Sequence, residues 1–490
     1  MANFCSYNTN QKYFSVVDPE KIREHNPLVR VIDDFVERHI DIGAFAEKYT
    51  NDEGGAPAKH PRILLKVLFY SYSQGIYSSR EIEERISGGD SSFTYLSSNT
   101  FLDHSTICNF ILKHEAEIRD IFTRMVYILH KFGLVKLNFI AVDGTKVRAG
   151  VGERFTGTVE DFQKRRTKIE GRIKEILDKT VSDETSERCR KRMENKVNQL
   201  EREKEKIDLF FSELPKGGDS ADKAKRINLV DRDSVIVKDK KSRYMGYNCQ
   251  VAVDDEHHFI AGAGVFNREN EKGLLKPMVK ELRDRTKTDM KDSELGFDAG
   301  YYSSDNIQNI ADEELQVYIP EGKGEGGTRR KRNKEGICSQ DCVLEIDGEI
   351  RRLICPGGQI LESNKTFIKY GYAYYKFTTK VSICKQCKCY QMCYKGCKTR
   401  RTFMIKKEYF DTYKLRKEMI DKLSTPKGKE RLSDRSCTVE HVFGEIKEHY
   451  KFRRFTHRGL SKVGLIWIIV CIAYNFRKLS VLSRGSPGII

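Results

Sequence analysis

Two short apolar runs that each deliver an aspartate constrain this chain more than anything else in it. Phe139-Ile140-Ala141-Val142 leads into Asp143 and then Gly144-Thr145-Lys146; Leu295-Gly296-Phe297 leads into Asp298 and then Ala299-Gly300-Tyr301-Tyr302. Such runs, bounded by Gly, read as buried strands. An acid at the end of a buried strand keeps its backbone fixed in a sheet while its carboxylate reaches solvent. A third acid, Glu440, lies in Thr438-Val439-Glu440-His441-Val442-Phe443-Gly444-Glu445-Ile446-Lys447, a stretch with helical spacing. Three such acids brought together would hold hard divalent cations, which prefer oxygen ligands. Two metals held that way activate a nucleophile and stabilise a leaving oxygen at a phosphodiester.

The neighbouring segments extend the sheet. Leu137 to Val142 is one expected strand, and Tyr247 to Val253 alternates as a second. The polar turn Asp254-Asp255-Glu256-His257-His258 passes the chain to Phe259-Ile260-Ala261-Gly262, so a hairpin follows. A helix from Gly273 to Leu282, a strand from Glu294 to Asp298, a helix from Ser304 to Ala311 and a strand from Gln316 to Ile319 complete an α/β order with a mixed sheet.

Two insertions interrupt that order. Residues 159–215 are dense in charge, with Ile169, Ile173 and Ile176 on one stripe and Met193, Val197, Leu200, Ile207 and Leu214 on another. With a turn at 180–183, this predicts a long helical hairpin whose charged faces are solvated or contact DNA or a subunit. The second insertion, 321–401, opens on a Gly-rich linker at 321–327 and the basic run 329–332. It then carries Cys338, Cys342, Cys355, Cys384, Cys387, Cys389, Cys393 and Cys397. Cys384 and Cys387 have the two-residue gap that lets two thiolates grip one zinc. Cys355 and Cys393 are expected as the other two ligands of a structural Zn²⁺, leaving Cys338, Cys342, Cys389 and Cys397 for a second site. Free thiols and an iron–sulfur cluster are the alternatives.

Residues 1–133 read as an N-terminal helical domain. Helices are expected from Arg62 to Gln74, from Ser78 to Ile86 and, after Asp103-His104-Ser105-Thr106, through His114 into 115–132. Short helices of this kind suit a DNA reader and a plain bundle equally. Residues 402–490 return to helix. Val463 to Tyr474, the longest apolar run, falls short of the roughly 20 residues that span a bilayer and is expected to be a buried helix. The polar amino-terminal stretch has no apolar core of a signal peptide, so the expected location is cytoplasmic, with no membrane partner.

The chain carries 88 Lys and Arg against 71 Asp and Glu, a net charge of +17 over 490 residues. That suits a polyanion, bound with strong salt dependence. Lys451, Arg453, Arg454 and Arg458, interleaved with Phe452 and Phe455, read as a phosphate track beyond Glu440. On a continuous helix Glu440 and Lys447, two turns apart, share one face. A surface ion pair with a nearby lysine is the plainer reading of Glu440.

The segments Val142-Asp143-Gly144-Thr145-Lys146, Asp298-Ala299-Gly300-Tyr301-Tyr302 and Val439-Glu440-x-Val442-Phe443-Gly444-x-Ile446-Lys447 resemble the acidic motifs of DDE transposases of bacterial insertion sequences. Arg453-Arg454-Phe455, Arg458-Gly459-Leu460, Ala473-Tyr474-Asn475-Phe476-Arg477 and Asp103-His104-Ser105-Thr106 are similar to that group too. The resemblance spans roughly residues 20 to 480. It implies an RNase-H-like catalytic core, residues 134–320 and 402–490, and catalysis by Asp143, Asp298 and Glu440 with two Mg²⁺ or Mn²⁺ ions. It further implies DNA contacts by Lys447 and Arg435, with Lys146 in the first motif. The expected activity is cleavage at the ends of an insertion sequence and strand transfer into target DNA. The expected partners are double-stranded DNA and a second copy of the chain, as a dimer or larger synaptic assembly. A nuclease without joining activity and an inactive DNA-binding relic are the alternatives. Ser433 stands where related elements often carry Tyr.

Overall fold

The computed structural model describes residues 17–49, 57–180, 187–214, 226–239, 242–321, 341–347, 350–363, 365–369, 371–393 and 400–484. Two compact units emerge. One comprises Met1–Ile128, Glu445–His457 and Ser461–Ile490, the other Leu129–Gly444 and Arg458–Leu460. The stretch 402–490, read from sequence as one part, is thus divided between them.

The first unit is helical. Local chemistry sets its helix starts: Asn26 accepts from Val29 N to cap Pro27–His39, with Pro at the first position. Asp103 accepts from Ser105 N and Thr106 N, each at 3.0 Å, to open His104–Lys113. The Asp103 carboxylate therefore makes this cap. The expected continuous helix through His114 is broken, because His114 leaves helical geometry before Glu115–Lys131 begins. Its fully buried ring lies against Phe45 and Phe110. Val463 to Tyr474 belongs to a longer helix, Leu460–Leu482, apolar on all sides and buried in this unit's core. It is the one described helix long and apolar enough to cross a membrane, and 78% of its apolar window is buried in the fold.

The second unit is built on a six-stranded mixed sheet. Its strands are β1 (Phe139–Arg148), β2 (Val235–Lys238), β3 (Arg243–Asp254), β4 (Ile260–Phe266), β5 (Glu294–Phe297) and β6 (Gln316–Tyr318). β3 runs antiparallel to β1 and is lined on its other side by β2 and β4. β5 and β6 follow on the far side of β1, both parallel to it in sequence. Four strands joined by antiparallel ladders, followed by two parallel to β1, are consistent with an RNase-H-like core. β1 runs on to Arg148, so Asp143 lies inside the strand rather than at its end. What does stop there is its parallel neighbour, whose pairing ends at Val142 opposite Phe297.

Helices Val159–Thr180 and Glu187–Glu213 pack on each other through Phe162, Ile169, Leu200, Ile207 and Phe210. After β6, two three-stranded antiparallel sheets cover residues between 343 and 406. They share a core of Leu353, Leu361, Tyr375, Phe377 and Phe403. The Gly-rich linker beyond Glu321, the basic run, Cys338 and Cys397 lie outside the described residues.

Candidate active site

Side chains alternate along a strand, so Phe139, Ala141 and Asp143 face one side of β1. The parallel register sets Phe139 opposite Glu294 and Ala141 opposite Gly296, which brings Asp298, just past β5, to the same side. The Pro426–Gly444 helix covers that face. Arg431 donates to Glu294 at 2.8 Å and lies over the Phe139 ring. One turn on, Arg435 passes Gly296, where a Cβ would meet the Phe139 ring at 2.7 Å and Arg435 Cβ at 3.1 Å. Its guanidinium then reaches both aspartates: Nη2 is 2.6 Å from Asp143 Oδ2 and Nη1 is 3.9 Å from Asp298 Oδ1.

The two acids differ in exposure, 20% for the Asp143 side chain and 51% for Asp298. Burial pushes the Asp143 carboxyl up to about 6, against the opposing pull of Arg435 and the Gly144 N–H, while Asp298 and Glu271 add to the rise. Each aspartate accepts from the next backbone N–H, Asp143 from Gly144 at 2.7 Å and Asp298 from Ala299 at 2.6 Å. These bonds orient both carboxylates without using up their outer oxygens.

The opposite face of β1 carries a polar network that sequence reasoning did not single out. Gly144 pairs with Gln250 and Lys146 with Asn248 across the β1–β3 ladder. Tyr301 OH donates to Gln250 Oε1, Gln250 Nε2 donates to Asn248 Oδ1 at 2.8 Å, and Asn248 Nδ2 donates to Glu271 Oε1 at 3.4 Å. Glu271 also pairs with Lys146. Gly144 is required here because Asn248 Oδ1 would lie 2.8 Å from any Cβ at that position. The only sequence signal for this network is two polar residues, Asn248 and Gln250, on the otherwise buried strand β3.

Glu440 is exposed on the Pro426–Gly444 helix and accepts from Ser436 Oγ at 3.0 Å. It is not gathered with Asp143 and Asp298. Among the described residues, no three His, Cys, Asp or Glu side chains stand close enough to hold one metal ion. The α-helix ends at Gly444 and Glu445–His449 winds as a π-helix, so the two-turn α-helical spacing expected for Glu440 and Lys447 does not carry through. Lys451, Arg453 and Arg454 are exposed while Phe452 and Phe455 between them are buried. Arg458 is exposed and donates to Gly150 O at 3.1 Å.

The thiols form a separate cluster. Cys355, Cys384, Cys387 and Cys393, with Cys389, line one cavity of about 20 Å³. Tight turns aim them inward: Cys387 N donates to Cys384 O at 3.0 Å, Gly358 N to Cys355 O at 2.8 Å, and Cys389 N to Cys387 Sγ at 3.4 Å. Burial, with neighbouring sulfurs adding to it, pushes the Cys389 and Cys393 thiols up. Cys342, reserved above for a second site, is instead buried in the apolar core beside Leu344 and Leu353.

The second unit is thus an α/β core whose mixed sheet brings Asp143, inside β1, and Asp298, just past β5, to one guanidinium. Comparison with known families agrees. Residues 354–480 match the family model described as "Transposase DDE domain", and residues 17–113 match the one described as "Transposase domain (DUF772)". No curated protein matches the chain. The two matches support a DDE transposase of insertion-sequence type, a family of phosphoryl-transfer enzymes that act on DNA and generally depend on divalent metal. The first match spans Glu440 and Arg435 but neither Asp143 nor Asp298.

Proposed function

We propose that this transposase cuts DNA strands at the ends of its insertion sequence and joins them to target DNA. Asp143, Asp298 and Glu440 are the catalytic acids, and two Mg²⁺ or Mn²⁺ ions are their cofactors. The observation that carries this reading is the convergence of Asp143 and Asp298 on one guanidinium. Two carboxylates that gather one permanent cation offer the oxygen donors and the negative charge that a hard divalent ion takes. Bound there, such ions supply the Lewis-acid charge that activates the nucleophile and steadies the leaving oxygen.

The chain's own residues position the reaction. The β1–β5 register fixes Asp143, and the turn Ala299–Tyr301, capped by Asp298 itself, fixes Asp298. Glu440 enters as the third acid through its family motif. Lys146, Arg435, Lys447, Lys451, Arg453, Arg454 and Arg458 bind phosphates, making DNA affinity fall steeply with salt. In the first step water attacks phosphorus and the 3′ oxygen leaves with a proton. In the second, that 3′-hydroxyl attacks a target phosphodiester and releases a target 3′-hydroxyl in turn. Two ends must be handled together, so the working form on double-stranded DNA is a dimer or larger assembly. Cys355, Cys384, Cys387 and Cys393 hold a structural Zn²⁺, a reading supported by their shared cavity and all-thiol donor set.

The test is incubation of the purified chain and Mg²⁺ with DNA carrying the sequences that flank its own gene. Cuts at the element ends and joined products are expected from the wild type. Asp298→Asn is expected to reduce both by about 10²–10³-fold or more. Cuts without joining would establish a nuclease; tight binding with no cutting by the wild type would overturn the catalytic reading.

A further inference from the structure

Arg435 sits where a ligand of the two aspartates would sit. Its side chain is 14% exposed, its stem runs past Gly296, and its guanidinium bridges Asp143 and Asp298. Its Nε is buried with no hydrogen-bond partner among the described residues, so the two terminal nitrogens carry its interactions with the acids. A Mg²⁺ or Mn²⁺ ion bound to Asp143 Oδ2 takes an oxygen at roughly 2.0–2.2 Å and demands a nearly complete octahedral shell. It would do so beside a guanidinium nitrogen already 2.6 Å from the same oxygen. Two cations held that close repel each other, so the charge on the chain and the cation from solution compete for this oxygen.

We propose that Arg435 is a positioning residue that acts as a built-in counter-cation, holding Asp143 and Asp298 together in the metal-free enzyme and giving way when the metal enters. The inference rests on the reading of these aspartates as metal ligands. It accounts for three features at once. Gly296 leaves room for the arginine stem, a single helical turn separates Arg435 from the Arg431–Glu294 pair that anchors its helix, and two carboxylates converge on one guanidinium. A fixed guanidinium suits this better than an ammonium, because its planar fork can reach two acids at once and it never loses its charge. The consequence is a metal affinity set below what the bare acid pair would give. Each ion that binds does so against the charge of a guanidinium 2.6 Å from the same carboxylate oxygen.

The experiment measures Mn²⁺ binding to the full chain without DNA, reading free Mn²⁺ by electron paramagnetic resonance. The wild type is compared with Arg435→Gln, Arg435→Lys, Asp143→Asn and Asp298→Asn, with circular dichroism reporting the fold. Asp143→Asn and Asp298→Asn are expected to abolish or severely weaken binding. Arg435→Gln is expected to bind Mn²⁺ about tenfold more tightly than wild type, and Arg435→Lys, which cannot bridge both acids, several-fold more tightly. Should Arg435→Gln fail to fold, Arg435→Lys carries the test alone. A merely structural arginine would let the acid pair drift, so that both variants bind Mn²⁺ as weakly as wild type or more weakly; that result overturns the proposal. Binding that ignores Asp143→Asn and Asp298→Asn would instead overturn the metal-ligand reading on which the proposal rests.

Discussion

The two units bury opposite kinds of side chain. The helical unit centres on Trp467, Phe35, Phe69 and Phe476, around a helix that is apolar on every side. The sheet unit places Asn248, Gln250, Asp254, Arg285 and Arg416 below a tenth exposure, and the Arg435 and Asp143 side chains at 14% and 20%. Buried polar groups cost stability unless paired, and these have partners: Arg416 donates to Thr412 and Ser304, Arg285 pairs with Glu281, and Asp254 accepts from Leu137 N. One unit uses burial to hold its shape; the other gives up part of that stabilisation to keep charge where chemistry needs it.

Truncating the apolar core is the strongest way to probe this contrast. Phe476 is fully buried, edge-on to Phe35 at 5.2 Å and tilted against Phe69 at 5.4 Å. Phe476→Ala should cost about 3–5 kcal/mol, the transfer term plus the cavity left behind. The chain has a single tryptophan, Trp467, buried in the same helix, so its emission reports this unit alone. The denaturation midpoint read from Trp467 should fall sharply in the variant. An unmoved midpoint would mean that the helix is not core.

Acid should push the two units in opposite directions. Burial holds His114 down to about 4, so the folded helical unit binds fewer protons than the unfolded chain between pH 6.5 and 4. The stability His114 lends is present above its unfolded value and lost as pH falls through that window. Asp143 is the reverse case: raised to about 6 by burial, it lends stability below its unfolded value near 3.8 that is lost as pH rises through 6. Each shift is worth on the order of 3 kcal/mol. His114→Gln should flatten the acid side of the Trp467 stability profile. Asp143→Asn should remove the loss between pH 4 and 6 in hydrogen exchange of the β1 amides. Parallel profiles for the two units would break the comparison.

The same contrast explains what could be read from the sequence. Five of the six strands were legible because their runs are largely apolar and bounded by turn residues, and the buried Leu460–Leu482 helix because nothing polar interrupts its centre; the four-residue strand β2 was not expected. Cys384 and Cys387 announced their company by spacing; they line one cavity with Cys355 and Cys393, and also with Cys389, which was expected at a second site. The site's polar frame was not legible. Asn248 and Gln250 lie on β3, Tyr301 in the turn after β5 and Glu271 in the loop after β4, and only the tertiary fold brings them together. Arg435 could be named from its motif, yet its partner could not, since a helical position says nothing about which strand end it covers. The continuation of β1 past Asp143 was hidden by Gly144, which reads as a strand breaker but is there to admit neighbouring side chains.

Gly296 offers the gentlest test, confined to the sheet unit. It is buried on β5, and a methyl there would meet a Phe139 ring carbon at 2.7 Å and Arg435 Cβ at 3.1 Å. Phe139 is fully buried and held beneath Arg431, so its ring has little room to yield, and the arginine stem must shift instead. Overpacking of this kind costs about 1–3 kcal/mol. Gly296→Ala should therefore weaken hydrogen-exchange protection along β1 and β5 while leaving the Trp467 midpoint where it is. Protection equal to wild type would show that the helix carrying Arg435 can lift off the sheet without penalty. The close fit between the arginine stem and β5 would then have no part in holding the two aspartates together.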